Sequence, residues 1–144
     1  MPDIFGDLRE WGAVLIQIKR LRLSEHLDEH QEGLIRILRY RYNWQLRQAA
    51  LRAVADLRNP SKDLFEVLLA IVTDEHSDLD TRLLACDAVR RVVALSQAQG
   101  GIDHFEPAAA QRAAEFLRVP QPPVLREAVE QWSVTEREPA ARLV

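Results

Sequence analysis

Cysteine is nearly absent from this chain, Cys86 being the only one. That excludes an intramolecular disulfide and any cysteine cluster around a metal, and it points to a reducing, intracellular compartment. Glycine is scarce as well. The five glycines lie mostly near expected helix ends or turns, and no phosphate-cradling glycine loop can be assembled from them. Lysine occurs only at Lys19 and Lys62, so arginine carries almost all the positive charge. The formal net charge is −3, which gives no bulk attraction to nucleic acid. Long apolar runs are missing too: "AVLIQI", residues 13–18, is too short to cross a bilayer. Asp3 and Asp7 stand where a signal peptide would be basic. The expectation is a cytoplasmic protein with no membrane partner. What remains is ordinary for a folded domain: 144 residues and 47% apolar content are enough to build a real core.

No strand pattern competes with helix. The apolar spacing predicts six to seven helices. The first covers about 4–21, with Ile4, Leu8, Trp11, Leu15 and Ile18 as one stripe. The second runs from about 25 to 41 with Ser24 as N-cap. The third starts near Trp44 and stops before Asn59-Pro60. The fourth, "SKDLFEVLLAIVTDE", is capped by Ser61 and apolar nearly all round, so it should be buried on several sides. A fifth spans about 79–97, followed by the breaker-rich loop 96–103. A sixth covers about 106–118 with Pro107 in its first turn. A seventh follows "VPQPP" over about 123–132, and the tail 134–144 is expected to fray.

Long helices with short turns suggest helical hairpins, and the hairpins repeat. "NWQLRQAALRAVADL" (43–57) lies over "DLDTRLLACDAVRRV" (78–92) at an offset of 35 residues. Arg47 falls on Arg82, Ala50 on Ala85, Ala53 on Ala88 and Val54 on Val89. Positions 46, 49, 50, 53, 54 and 57 map onto 81, 84, 85, 88, 89 and 92, one face of a helix in each copy. A third, degenerate copy is "VLREAVEQW" (124–132), with Leu125, Arg126, Ala128, Val129 and Trp132. A partner helix precedes each copy.

These residues, Asn43, Leu46-Arg47, Ala50 and Val54, then Asp78, Thr81-Arg82, Ala85 and Val89, resemble the second helix of HEAT-like repeats. The resemblance covers about 25–95 well and 104–132 weakly; the motif proline before that helix is missing in the first two units. The tetratricopeptide family has a similar period but a Trp/Leu-Gly/Tyr pattern that is absent here. The HEAT-like resemblance implies an all-α, short right-handed solenoid of antiparallel hairpins. Residues 1–133 would form one domain: a leading helix at 1–22, then hairpins at 24–58, 61–97 and 104–132. It also implies a ladder of Arg47 and Arg82 with acids of the next unit, Asp78 and Asp80 being the candidates for Arg47. The charge distribution agrees, since 36–58 is basic and 59–87 acidic.

Three constellations carry possible chemistry. Arg36, Arg39, Tyr40, Arg41, Tyr42 and Trp44 cluster around a turn. Tyr, Trp and Arg are the types enriched in protein-binding hot spots, and basic charge with aromatic planes also suits single-stranded nucleic acid. The structural alternative has Trp44 stapling the turn, Tyr40 or Tyr42 packed between helices and the arginines solvated. "HLDEH", His26 to His30, matches the inverted zinc-protease pattern: on an α-helix His26 and His30 share a face and Glu29 is placed as a base. No third ligand is marked, so solvated surface is the default reading and no cofactor is expected. Cys86 sits in an apolar face, and its pairing with His76 or His104 has no motif behind it. The first helix either caps the hairpin stack or makes a homodimer. The expected function is a non-catalytic scaffold or adaptor for another protein through Arg36, Arg39, Tyr40, Tyr42 and Trp44. Nucleic-acid binding by the same ridge is the alternative, and a metal-dependent hydrolase at His26, Glu29 and His30 is the remote one.

Overall fold

Side-chain caps decide where the helices begin. The Asn43 carboxamide oxygen accepts from the backbone N–H of Gln45 and Leu46 at 2.9 and 3.2 Å. Ser61 Oγ accepts from Leu64 at 3.1 Å, and an Asp78 oxygen accepts from Thr81 at 2.9 Å. Each satisfies a donor that the first helical turn leaves orphaned. The computed structural model describes residues 3–99 and 105–142, with 133–142 as backbone alone. Among them are seven α-helices and no strand. These are α1 (Trp11–Ser24), α2 (Gln31–Leu38), α3 (Trp44–Ala53), α4 (Lys62–Thr73), α5 (Leu79–Ala98), α6 (Phe105–Phe116) and α7 (Pro123–Arg142). Tight 3-10 turns at Leu27–His30 and Val54–Asp56 lead into α2 and finish α3.

The N-terminal helix begins later than its spacing predicts. Asp3 and Asp7 side chains accept from the backbone two residues on, Phe5 and Arg9, each at 2.9 Å. Such local bonds compete with helix, and Gly6 adds a left-handed turn at φ 66°. The helix starting at Trp11 therefore buries Val14, Ile18 and Leu21, and leaves Ile4 and Trp11 exposed. Ser24 is not an N-cap: it ends α1 and its hydroxyl donates to Leu21 O. The expected helix 25–41 divides into the 3-10 turn and α2, and stops at Leu38. At the other end α7 runs past 132 to Arg142, through much of the expected tail. The Gly100-Gly101 part of the breaker loop lies outside the described residues.

The chain forms two compact units, Met1–Leu68 and Leu69–Val144, divided inside α4. In unit 1, α1 and α2 both pack on α3. In unit 2, α5, α6 and α7 pack on one another, and the buried Trp132 indole donates to Cys86 O at 3.1 Å.

The 35-residue sequence repeat is also a repeat of environment. Leu46, Arg47, Ala50, Leu51, Ala53, Val54 and Leu57 are buried, and so are Thr81, Arg82, Ala85, Cys86, Ala88, Val89 and Val92. The expected pair Ala49 and Leu84 departs from the pattern in both copies alike, each being half-buried. The repeated arginines do one job. Arg47 Nε donates to Leu38 O, the last residue of α2, at 2.9 Å. Arg82 Nε donates to Val72 O, one residue before the end of α4, at 2.9 Å. The last carbonyls of a helix have no partner within it, and a cation there also meets the negative end of the helix dipole. Each arginine thus ties its own helix to the end of the one before. The third copy does not. Arg126 is exposed and pairs with Glu130 at 3.1 Å; the end of α6 is met by Gln121 Nε2, which donates to Phe116 O at 3.0 Å.

Candidate functional site

The turn after α2 is built from a tight approach. Gly33, inside α2, stands where a Cβ would come within 2.5 Å of the Phe5 ring and 3.2 Å of the Asp3 carboxyl carbon. Only glycine lets the N-terminal segment lie so close. One turn on, Arg36 donates Nε and Nη2 to the two Asp3 oxygens at 2.7 Å each, and Nη2 to Gly6 O at 2.6 Å. The guanidinium beside it holds the Asp3 carboxyl below the usual carboxylate range, against the pull of partial burial. Arg36 was expected to contact a partner; its donors instead fasten residues 3–6 onto α2.

Between that segment and α2 runs an open groove of about 820 Å³. Asp7, Leu8 and Arg9 form one wall, Glu32, Ile35 and Arg36 the other, and Arg39, Tyr40 and Tyr42 stand at its end. Arg9 is held by Asp7, with Nε and Nη2 at 3.1 and 2.9 Å from its oxygens. Arg39 makes no side-chain hydrogen bond or ion pair among the described residues. The Tyr40 and Tyr42 rings meet edge-on, with centroids 5.4 Å apart. Tyr42 is 88% exposed and Trp44 60%. Trp44 therefore does not staple the turn, and Tyr42 does not pack between helices. Of the five residues expected to bind, four line the groove and Trp44 does not. Leu8, Ile35 and Glu32 complete it. Leu8 was missed because only the Asp3–Arg36 clasp brings its segment to α2, and Glu32 and Ile35 because they lie on α2 upstream of the basic and aromatic cluster.

In the "HLDEH" segment Leu27–His30 form a 3-10 turn and His26 stands outside it as the N-cap. The α-helical pitch that would set His26 and His30 one turn apart on a single face is therefore missing. Glu29 faces His26, with Oε1 at 3.4 Å from Nδ1. Among the described residues no group of three or more His, Cys, Asp or Glu side chains is placed to hold a metal ion. The working residue of the segment is Asp28. Its carboxylate accepts from the backbone N–H of Arg58 and of Asn59 at 2.7–3.0 Å. Gln31 adds a bond to Asn59 O and another from Ser61 N. Together they fix the turn between α3 and α4.

The repeat arginines and their expected acids are placed as follows. Asp78 caps α5, and Asp80 is exposed in its first turn. Arg82 is buried with its guanidinium carbon 5.7 Å from the Phe116 ring centroid, and its Nη2 has no hydrogen-bond partner among the described residues. It was expected to meet an acid; an aromatic face is what it meets. Burial pushes the Cys86 thiol up to about 12, so it stays protonated and is a poor nucleophile at neutral pH. Among the described residues no helix is long and apolar enough to cross a membrane. No family model matches the sequence, and no curated protein or solved structure is detectably similar to it.

Proposed function

We propose that the protein is a non-catalytic interaction module, a HEAT-like scaffold that takes a segment of another protein along the groove beside α2. The observation that carries this reading is a large aromatic held in water at the end of an open groove, Tyr42, with a second, Trp44, exposed two residues beyond it in the chain. Their exposure contributes nothing to folding, whereas aromatic and arginine side chains dominate binding energy at protein interfaces. The groove offers apolar contact at Leu8 and Ile35, a cation at Arg39 and a carboxylate at Glu32. That mixture suits an extended segment with an apolar anchor and charges of both signs. The HEAT-like part of the reading is supported by the repeated arginine device and by the matching burial of its two copies.

The test is affinity capture from the native cytoplasm with wild type and with Arg39→Ala, Tyr42→Ala and Trp44→Ala combined. These side chains are outside the core, so the variant should melt with the wild type. Loss of a specific partner by tenfold or more, roughly 1.4 kcal/mol, is expected. A partner list unchanged by the triple substitution would sink the groove as the interface. Salt-sensitive binding of a labelled single-stranded oligonucleotide, abolished by the same variant, would assign the ridge to nucleic acid instead.

A further inference from the structure

The outer side of α1 has a composition that a mere end cap would not need. A helix that closes a stack of helices turns polar residues outward. Here α1 packs on α3 through Val14, Ile18 and Leu21, yet Ile16 is 55% exposed, Leu23 76%, and Trp11 also faces water. At 100° per residue, Trp11, Leu15, Leu23 and Ile16 fall within an arc of about 140° that adjoins the buried stripe.

Leu15 and Leu23 of that arc line a second groove, of about 500 Å³, between α1 and α3. Leu15, Ile18 and Ala49 supply its apolar lining and Leu23 extends it. Ala49 matters because a small side chain lets a third helix come close. The charges around it are unbalanced. Arg22 is neutralised by Asp56, Nε to Oδ2 at 2.6 Å. Among the described residues Lys19 has no ion pair, and Arg52 reaches only the neutral Gln48 oxygen, at 3.5 Å. Two cations therefore flank an apolar trough whose one lining acid, Asp56, is taken by Arg22.

We propose that the α1–α3 groove receives an amphipathic helix of a partner protein, its apolar stripe laid against Leu15, Ala49 and Leu23 and its acidic flank against Lys19 and Arg52. An apolar helix face in a hydrophobic groove is a recurrent recognition mode, and the charges select the sign of the flank. They also argue against a second copy of this chain. A two-fold contact through α1 sets the same patch against itself, bringing a surface with uncompensated lysine and arginine against its own image. This surface is separate from the α2 groove, and neither proposal depends on the other.

The probe is a labelled peptide of about five helical turns with leucine on one face and glutamate on its flanks, beside a twin carrying lysine in place of glutamate. Fluorescence anisotropy should show saturable binding of the glutamate peptide, tighter than its twin by roughly tenfold or more. Leu23→Glu should weaken the glutamate peptide, and Lys19→Glu with Arg52→Glu should invert the preference. All three sites are on the surface, and an unchanged melting curve confirms folding. Absence of saturable binding, equal affinity for the twins, or a preference that survives both variants would overturn the proposal. So would a wild-type dimer in sedimentation that Leu23→Glu dissociates, because the face would then be a self-interface.

Discussion

In unit 1 the buried Arg47 ends on the last carbonyl of α2; in unit 2 the buried Arg82, 35 residues on, ends near the last carbonyl of α4. The helices that carry them bury the same positions. What differs is how each unit is closed. Unit 1 is finished by an irregular segment, clasped through Asp3 to Arg36 and seated by Phe5 on Gly33. Unit 2 is finished by a helix, α7, anchored by Trp132 on Cys86 O. Arg82 is the less satisfied of the two arginines, since its Nη2 is buried without an acceptor among the described residues. A repeated sequence thus transmits a local device faithfully, while the packing around it is free to diverge. The third copy shows the limit: with Arg126 on the surface, the device is gone.

The largest separation of the units should come from their tryptophans. Trp132→Ala removes a buried ring and its hydrogen bond and should cost roughly 3–5 kcal/mol. Trp44→Ala, at an exposed site, should cost less than about 0.5 kcal/mol. Urea denaturation measures both, and a large cost for Trp44 would mean it is structural after all. Next in size is the arginine pair. Arg47→Met strands the Leu38 carbonyl and should cost about 2 kcal/mol. Arg82→Met strands Val72 but also removes an unpaired buried donor, so its cost should be smaller by about 1 kcal/mol. Equal losses would mean that the orphan Nη2 carries no penalty.

A double-mutant cycle probes the clasp of unit 1. Gly33→Ala pushes a methyl into the Phe5 ring and should destabilise by roughly 1–2 kcal/mol. In a Phe5→Ala background the cost of the same change should fall to about zero, since only the 3.2 Å approach to the Asp3 carboxyl carbon is left and alanine is the better helix former. If the cost is the same in both backgrounds, the approach of the Phe5 ring does not govern the site. The smallest effect is acid dependence. Asp3 has its folded pKa lowered by Arg36, so its contribution is fully present above the unfolded value, about 3.9. It is lost as pH falls through the lower folded value. Asp3→Asn should remove that part of the acid sensitivity and leave stability near neutral pH lower. An unaltered pH profile below 4 would exclude the clasp as its source.

Much of the helical plan is legible in the chain. Caps at Asn43, Ser61 and Asp78 and the stop at Asn59-Pro60 act locally, so their meaning does not depend on distant residues. The role of Arg47 and Arg82 is half legible. Recurrence marks them as framework, but their acceptors are backbone carbonyls, and a carbonyl is the same at every position. The start of α1 was misread because apolar spacing continues upstream of Trp11, while the Asp3 and Asp7 side chains draw the backbone into turns. The zinc-like pattern failed for a similar reason: it requires α-helical pitch, and residues 27–30 adopt a tighter one.

The α2 groove shows the same division. Arg39, Tyr40 and Tyr42 stand out in the sequence as a basic and aromatic cluster with no counterpart in the second copy. Leu8 and Glu32 do not, and Arg36, which looks equivalent to Arg39, is occupied by Asp3. The sequence by itself determined the helical class, the 35-residue repeat and the cap at Ser61, because periodicity and a cap are properties of neighbouring residues. Only the tertiary structure decided which arginine is held internally and which faces the groove. That choice depends on a pairing across 33 residues, made possible by the missing side chain of Gly33, and no local pattern encodes it.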